Sequence, residues 1–178
     1  LVSHGASLLF GRLSLLNEIS SLVSSAYEHV APGRSAGIAY QPRSFADLPG
    51  DASLPRDRDA LEDLLRKEIA LRRNEEFARG VTVVGPHRDD VLLTIGELPA
   101  KGYASHGECW SMALALRLAS FELMRGLDDV PGDPVLVLDD VFAELDATRR
   151  SALAAVAMGA EQTIITAAVG DDVPQALT

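Results

Sequence analysis

Along residues 8 to 30, Leu15, Ile19, Leu22 and Ala26 recur at helical spacing, with Leu16, Val23, Tyr27 and Val30 beside them. That row predicts an amphipathic helix, stopped by Pro32 and Gly33. The segment SAGIAYQPRSF reads as a short strand, held to a sheet edge because Pro42 cannot donate to a ladder. Residues 50 to 56 read as loop. From about Asp57 to Arg79 a second helix is predicted, with Leu61, Leu64, Leu65 and Ile69 as its apolar stripe. Glu62–Arg66, Asp63–Lys67 and Glu68–Arg72 stand four apart with the acid first, the favourable order for a solvated helix face.

The pattern changes after Gly80. VTVVG and DVLLTIGEL read as strands, separated by GPHRDD and followed by a turn from Pro99 to Gly102. An almost wholly apolar helix over Cys109 to Met124 is expected to be buried. A strand from Val135 to Leu138, a helix from Thr148 to Met158 and a strand in QTIITAAV come next. Such alternation predicts a parallel sheet with crossover helices. The expected organisation is a helical arm over residues 1–80 and a sheet lobe over residues 81–178.

Composition narrows the choice. The chain has 178 residues, 47% of them hydrophobic, enough for a core of ordinary density. Sixteen Lys and Arg stand against 26 Asp and Glu, a formal net charge of −10, which argues against a broad phosphate-binding face. Cys109 is the only cysteine, so no internal disulfide forms and a reducing cytoplasm is the default. Arg12 interrupts the leucines near the start, and neither a signal peptide nor a membrane span is read there. The chain begins without Met, as expected of a piece of a longer protein and equally of a processed or tagged chain.

Candidate chemistry concentrates in PVLVLDDVFAELD, residues 134–146, where an apolar strand runs into Asp139 and Asp140. Carboxylates at the carboxyl edge of a parallel sheet lie where open α/β folds bind ligands. Mg²⁺ accepts one protein carboxylate together with nucleotide phosphates and waters, so Asp139 suits the metal, directly or through water. Asp140 suits a water-orienting or proton-accepting role. The plainer alternative is that both aspartates only cap the following turn. A phosphoacceptor site is disfavoured because Lys67 and Lys101, the only lysines, follow no late strand. The strand ends in Asp139-Asp140 rather than in the Asp-x-Asp of nuclease-type sites, and the phosphate loop G-x-x-x-x-G-K-[ST] is absent from the chain.

A second feature lies about 30 residues upstream. Ser105 and Glu108, ahead of an apolar run, form a capping box, and the N–H groups of that helix start make an anion site by geometry and dipole. Read plainly, this is only a helix start. His87, Arg88 and Asp89 face a similar choice between a turn fixed by Gly85-Pro86 and a nucleotide- or interface-facing role. HRDD lacks the Asn a kinase loop needs, since Thr94 stands in its place. His4, His29 and His106 show no metal-ligand spacing and fit surface or capping positions.

Ser105-His106-Gly107-Glu108, VLVLDD and Ala143-Glu144-Leu145-Asp146 resemble, in order and spacing, the signature motif, Walker B and D-loop of ABC-type ATPases. Together with GPHRDD, the stretches SHGECWSMALALRLA and VLVLDDVFAELDATRR resemble the RecF family across residues 85 to 169. The resemblance implies an α/β fold: an ABC-type ATPase head fragment, a helical lobe plus part of a P-loop NTPase sheet lobe, with the Walker A half absent. It implies a bacterial cytoplasmic ATPase using ATP and Mg²⁺ that forms an ATP-dependent homodimer. Family members bind DNA at gaps and single/double-strand junctions and act with RecO and RecR to load RecA.

On that reading Ser105, His106, Gly107 and Glu108 would face ATP bound by the opposite subunit, and Glu144 and Asp146 would lie at the dimer seam. Two departures stand out: Asp140 replaces the usual Glu, and Thr166 occupies the region of the switch histidine, as a possible sensor. The fragment alone is expected to be inactive. Apolar surface around the Val135 strand and the Trp110 helix is expected to be exposed and to drive self-association. The alternative reading is a catalytically silent SMC- or ABC-like interaction module.

Overall fold

The fold is that of a computed structural model, which describes residues 1–45, 54–127, 132–143 and 145–177. The chain forms two compact units, one of residues 1–18 and 38–92, the other of residues 19–37 and 93–178. Compactness therefore groups residues differently from a single division by chain order at Gly80. Helix α1, Val2–Val30, starts earlier than its periodicity suggested and contributes to both units.

In the first unit, helix α2 (Arg58–Arg79) matches its expected limits because both ends carry local stop signals. Asp57, in extended conformation, accepts a hydrogen bond from the Ala60 N–H at 2.9 Å. Gly80 closes the other end at φ 66°, in the left-handed region that glycine enters without a Cβ clash. Leu61 and Leu65 bury against Ala6, Leu9, Phe45, Leu54 and Val84. Each such side chain taken fully out of water contributes roughly 1.5–3 kcal/mol. Arg66 reaches both Glu62 and Asp63, so one guanidinium serves two carboxylates on the exposed face.

VTVVG is not a strand, contrary to the sequence expectation. Its backbone is satisfied by side chains instead. The Val83 N–H donates to Glu76 Oε1, the Gly85 N–H to the Ser44 hydroxyl, and the Thr82 carbonyl accepts from the Arg88 guanidinium. Apolar content suggested a ladder; tertiary partners removed the need for one.

Strand β1 is Ala36–Gln41, ending just before Pro42, and it lies at the edge of a three-stranded sheet of order β1-β2-β3. Strands β2 (Asp90–Ile95) and β3 (Leu98–Pro99) form an antiparallel hairpin in which Ile95 faces Leu98. A Cβ on Gly37 would fall 2.6 Å from Thr94 Oγ1, so the close approach at that point requires glycine.

The second unit holds the βαβ arrangement. A kinked turn, α3 (Ala100–Tyr103), precedes helix α4 (His106–Arg125). Strand β4 (Leu136–Asp139) pairs in parallel with β5 (Thr163–Thr166) through the crossover helix α5 (Ala147–Gly159). Leu136 and Leu138 face a core of Leu114, Leu118, Phe121, Phe142, Leu145 and Leu153. Helix α4 is not buried all round as expected. Ser111, Met112, Ala115 and Ala119 are buried, Trp110 is half-buried, and Cys109 and Met124 are exposed. On α1 the buried positions are Ala6, Leu9, Ile19, Val23, Tyr27 and Val30, while Leu15 points outward at 49% exposure.

Candidate functional site

The carboxyl end of β4 presents Asp139 and Asp140, both exposed. The adjacent strand fixes them. Asp139 is in register with Thr166, whose hydroxyl donates to Asp139 Oδ1. The Asp140 N–H donates to the Thr166 carbonyl and hydroxyl oxygens, each at 3.1 Å. The Ala168 N–H lies 3.4 Å from Asp140 Oδ1. Thus Thr166, singled out separately as a possible sensor, touches both members of the aspartate pair.

Asp140 has φ 51°, the only non-glycine residue in the left-handed region among those described. Asp and Asn tolerate this conformation better than longer side chains do. That backbone offers a physical reason for Asp rather than the longer Glu at this position.

These residues fit a magnesium ion in one respect. A single exposed carboxylate oxygen beside the strand end, with the other oxygen held by a hydroxyl, suits a cation that keeps waters and draws on substrate phosphates. No group of three or more His, Cys, Asp or Glu gathers among the described residues, so protein ligands alone would not enclose an ion there.

At the start of α4, Ser105 adopts the expected capping box. Its hydroxyl accepts from the Glu108 N–H at 3.3 Å, and Glu108 Oε2 accepts from the Ser105 N–H and hydroxyl, both at 2.8 Å. The Ser105 N–H and hydroxyl, and then Arg34 at 2.8 Å from Oε1, hold the Glu108 carboxyl below its ordinary value. Helix geometry leaves the first-turn N–H groups of His106 and Gly107 without intrahelical acceptors.

Asp146 caps α5 by accepting from the Arg149 N–H at 2.9 Å, and its other oxygen pairs with the Arg149 guanidinium. The same guanidinium donates through Nε to the buried Ser111 hydroxyl at 2.9 Å, and that hydroxyl donates to the Gly107 carbonyl. The start of α5 is therefore wired to the start of α4 through Arg149. Arg34, Glu108, Asp146 and Arg149 line one open concavity of about 430 Å³ with Tyr27 and Thr148. Burial first, then the nearby Glu108 charge, raises the Tyr27 phenol. Glu144 lies outside the described residues.

GPHRDD forms a turn: the Arg88 N–H donates to the Gly85 carbonyl at 2.9 Å with Pro86 between them. Asp89 is engaged structurally, accepting from the Tyr40 hydroxyl at 2.8 Å and from the Ser44 N–H at 3.0 Å. Burial and the Asp89 carboxylate push the Tyr40 phenol up to about 12, against the opposing pull of Arg12. His87 and Arg88 are exposed, with His87 Nε2 2.9 Å from the Thr82 hydroxyl.

Sequence reasoning did not single out Arg34, Ser111 or Arg149. Arg149 had a usable signal, three residues after a helix-capping Asp. Arg34 had none, being 74 residues from Glu108.

No family model matches the chain. Two curated relatives do, each named "DNA replication and repair protein RecF". The Frankia alni protein is 52% identical over 178 residues, covering 100% of this chain and 46% of the relative. The Cutibacterium acnes protein is 51% identical over 185 residues, covering 99% of this chain and 46% of the relative. Among solved structures, the recombination mediator protein RecF-ATPrS of the RecFOR pathway superposes with a TM-score of 0.76 at 23% identity. It covers 98% of this chain and 44% of that one, a likeness of fold. The RecF-ATP structure gives 0.70 at 25% identity over 96% of this chain and 43% of that one. The match spans slightly under half of each relative, consistent with the C-terminal half that the motif order implied. The α/β elements described above are a fragment of the RecF ABC-ATPase fold, and this chain belongs to the RecF family.

Proposed function

We propose that this chain is the C-terminal portion of a recombinational DNA-repair ATPase. In the complete protein it dimerises on ATP, binds gapped or junction DNA and works with RecO and RecR to load RecA in the bacterial cytoplasm. Residues 1–80 would serve as a helical second lobe and residues 81–178 as the C-terminal part of the ATPase lobe. Support comes from the full-chain match to curated RecF proteins and from the solved RecF structures named for ATP and an ATP analogue.

The observation that carries the reading is the exposed Asp139–Asp140 pair at the carboxyl end of a parallel strand. Asp139 would hold Mg²⁺, directly or through water, with Thr166 fixing the carboxylate's rotamer. Bound magnesium would supply charge neutralisation on the phosphates. Asp140 would accept a proton from the attacking water, its backbone pinned by Thr166. The N–H groups of His106 and Gly107 at the α4 start, with Ser105 and Glu108, would receive the γ-phosphate bound by the other subunit. Asp146 and Glu144 would lie at the subunit seam. This chain has no phosphate loop, so we expect it to be inactive alone.

The test is DNA-stimulated ATP turnover in a full-length protein carrying this chain as its C-terminal half. Asp140→Asn should lower turnover by about a hundredfold or more, the usual contribution of a positioned base. Equal, measurable turnover in the variant would make the pair structural, as its bonds to Thr166 would also allow, whereas no turnover in either protein would favour an interaction module.

A further inference from the structure

Arg43, Arg79 and Arg88 line one open concavity of about 480 Å³ with His87, Val81 and Val83. All six residues belong to the first compact unit. In a chain of net charge −10, three guanidiniums around one hollow are a local departure from the global field. They stand well away in sequence from the aspartate pair and the α4 start.

Arg88 is the anchor. Its Nε and Nη2 both donate to the Thr82 carbonyl, at 2.9 and 2.5 Å. A neutral carbonyl fixes the guanidinium in place without cancelling its charge. Arg43 pairs with Asp90 at 3.0 Å and Arg79 with Glu75 at 3.0 Å, and both arginine side chains are exposed, at 59% and 64%. Exposed pairs of this kind are worth about 0–1 kcal/mol, so either guanidinium can be redirected at little cost. The remaining acids close by are committed elsewhere. Asp89 accepts from Tyr40 and Ser44, and Glu76 accepts from the Val83 N–H and pairs with Arg73.

Three arginine forks, one preset and two adjustable, match the oxygens of a phosphate better than lysines would. The lining holds no Phe, Tyr or Trp to stack a base. We propose that it holds a backbone phosphate of DNA, a contact that positions the protein on a duplex without reading sequence. This rests on the DNA-binding part of the proposed function and assigns it residues.

The experiment measures binding of fluorescently labelled duplex DNA over a range of salt by the full-length protein carrying this chain. Wild type is compared with Arg88→Ala, Arg88→Lys, Arg43→Ala/Arg79→Ala, and Arg66→Ala as a charge-matched control on α2. Each lost phosphate contact flattens the plot of log affinity against log salt by about 0.9. Arg88→Ala should therefore lose about one unit of slope, equally for unrelated sequences. Arg88→Lys should keep it and Arg66→Ala should not change it. The Arg43→Ala/Arg79→Ala variant disturbs only exposed side chains, so it probes the same hollow if Arg88→Ala folds poorly.

Unchanged slopes in Arg88→Ala and in Arg43→Ala/Arg79→Ala overturn the proposal. So does an equal loss in Arg66→Ala, or displacement of the DNA by ATP competing at these residues. If the hollow fails while wild type still binds DNA and turns over ATP, the proposed function stands. If wild type binds no DNA, that reading falls as well.

Discussion

Asp140 stands at φ 51° with its N–H fixed by Thr166, so its side-chain length and its backbone are coupled. A left-handed residue costs about 1–2 kcal/mol for an ordinary side chain and less for Asp or Asn. Asp140→Glu is expected to lower stability by about 1 kcal/mol in chemical denaturation, whereas Asp140→Asn stays near wild type. An equal stability of Asp140→Glu and wild type would show that the backbone does not select the acid. Tyr40 gives a pH prediction. Its folded value of about 12 lies above the ordinary 10.0, so the protonated phenol is the stabilised form. That stabilisation is complete below about pH 10 and is lost as pH rises through about 12. Denaturant melts should show wild type losing stability across this window more steeply than Tyr40→Phe; parallel curves would sink the assignment.

The elements that carry the candidate site are joined by side chains, above all by Arg149 between Asp146 and Ser111. Removing either partner breaks the link: the buried Ser111 hydroxyl keeps only the Gly107 carbonyl, and Arg149 keeps Asp146 but loses the acceptor of its Nε. A double-mutant cycle on Ser111→Ala and Arg149→Ala should give a coupling of about 0.5–3 kcal/mol, the range for residues in one hydrogen-bond network. Additive effects would mean that α4 and α5 are held by apolar packing alone. The helices themselves were legible because their ends are locally encoded. Asp57 and Gly80 frame α2, Ser105 and Glu108 open α4, and Asp146 opens α5, each within a few residues of its partner. VTVVG misled because side chains rather than a neighbouring strand satisfy its backbone: Glu76 and Arg88 from the flanking residues, and Ser44 from 41 residues away.

For the whole molecule, the β4–β5 pair leaves one face uncovered: Val137 and Ile164 are register partners and are 59% and 47% exposed. Val135 and Met124, both 47% exposed, add to the apolar surface of the same unit. An exposed apolar strand face of this kind favours association. Light scattering should show this chain self-associating, with Val137→Lys shifting it toward monomer. A monodisperse wild-type monomer would overturn that expectation. No helix among the described residues is long and apolar enough to cross a membrane.

The sequence by itself determined what depends on near neighbours or on motif order. That covers the helices and their caps, the β4-α5-β5 alternation, the aspartate pair, the missing phosphate loop and the likeness to RecF. Tertiary structure alone decided what depends on distant partners. It placed Thr166 against Asp139 and Asp140, Arg34 against Glu108, Asp89 under Tyr40 and Ser44, and the arginines around one hollow. It also divided α1 between the two units, turning Leu15 outward while Ile19 and Val23 went inward. Periodicity marks a helix's apolar face only approximately, because which row is buried depends on what packs against it. Hydrogen bonds across 27 or 74 residues leave no local pattern to read, since the backbone between them sets the meeting.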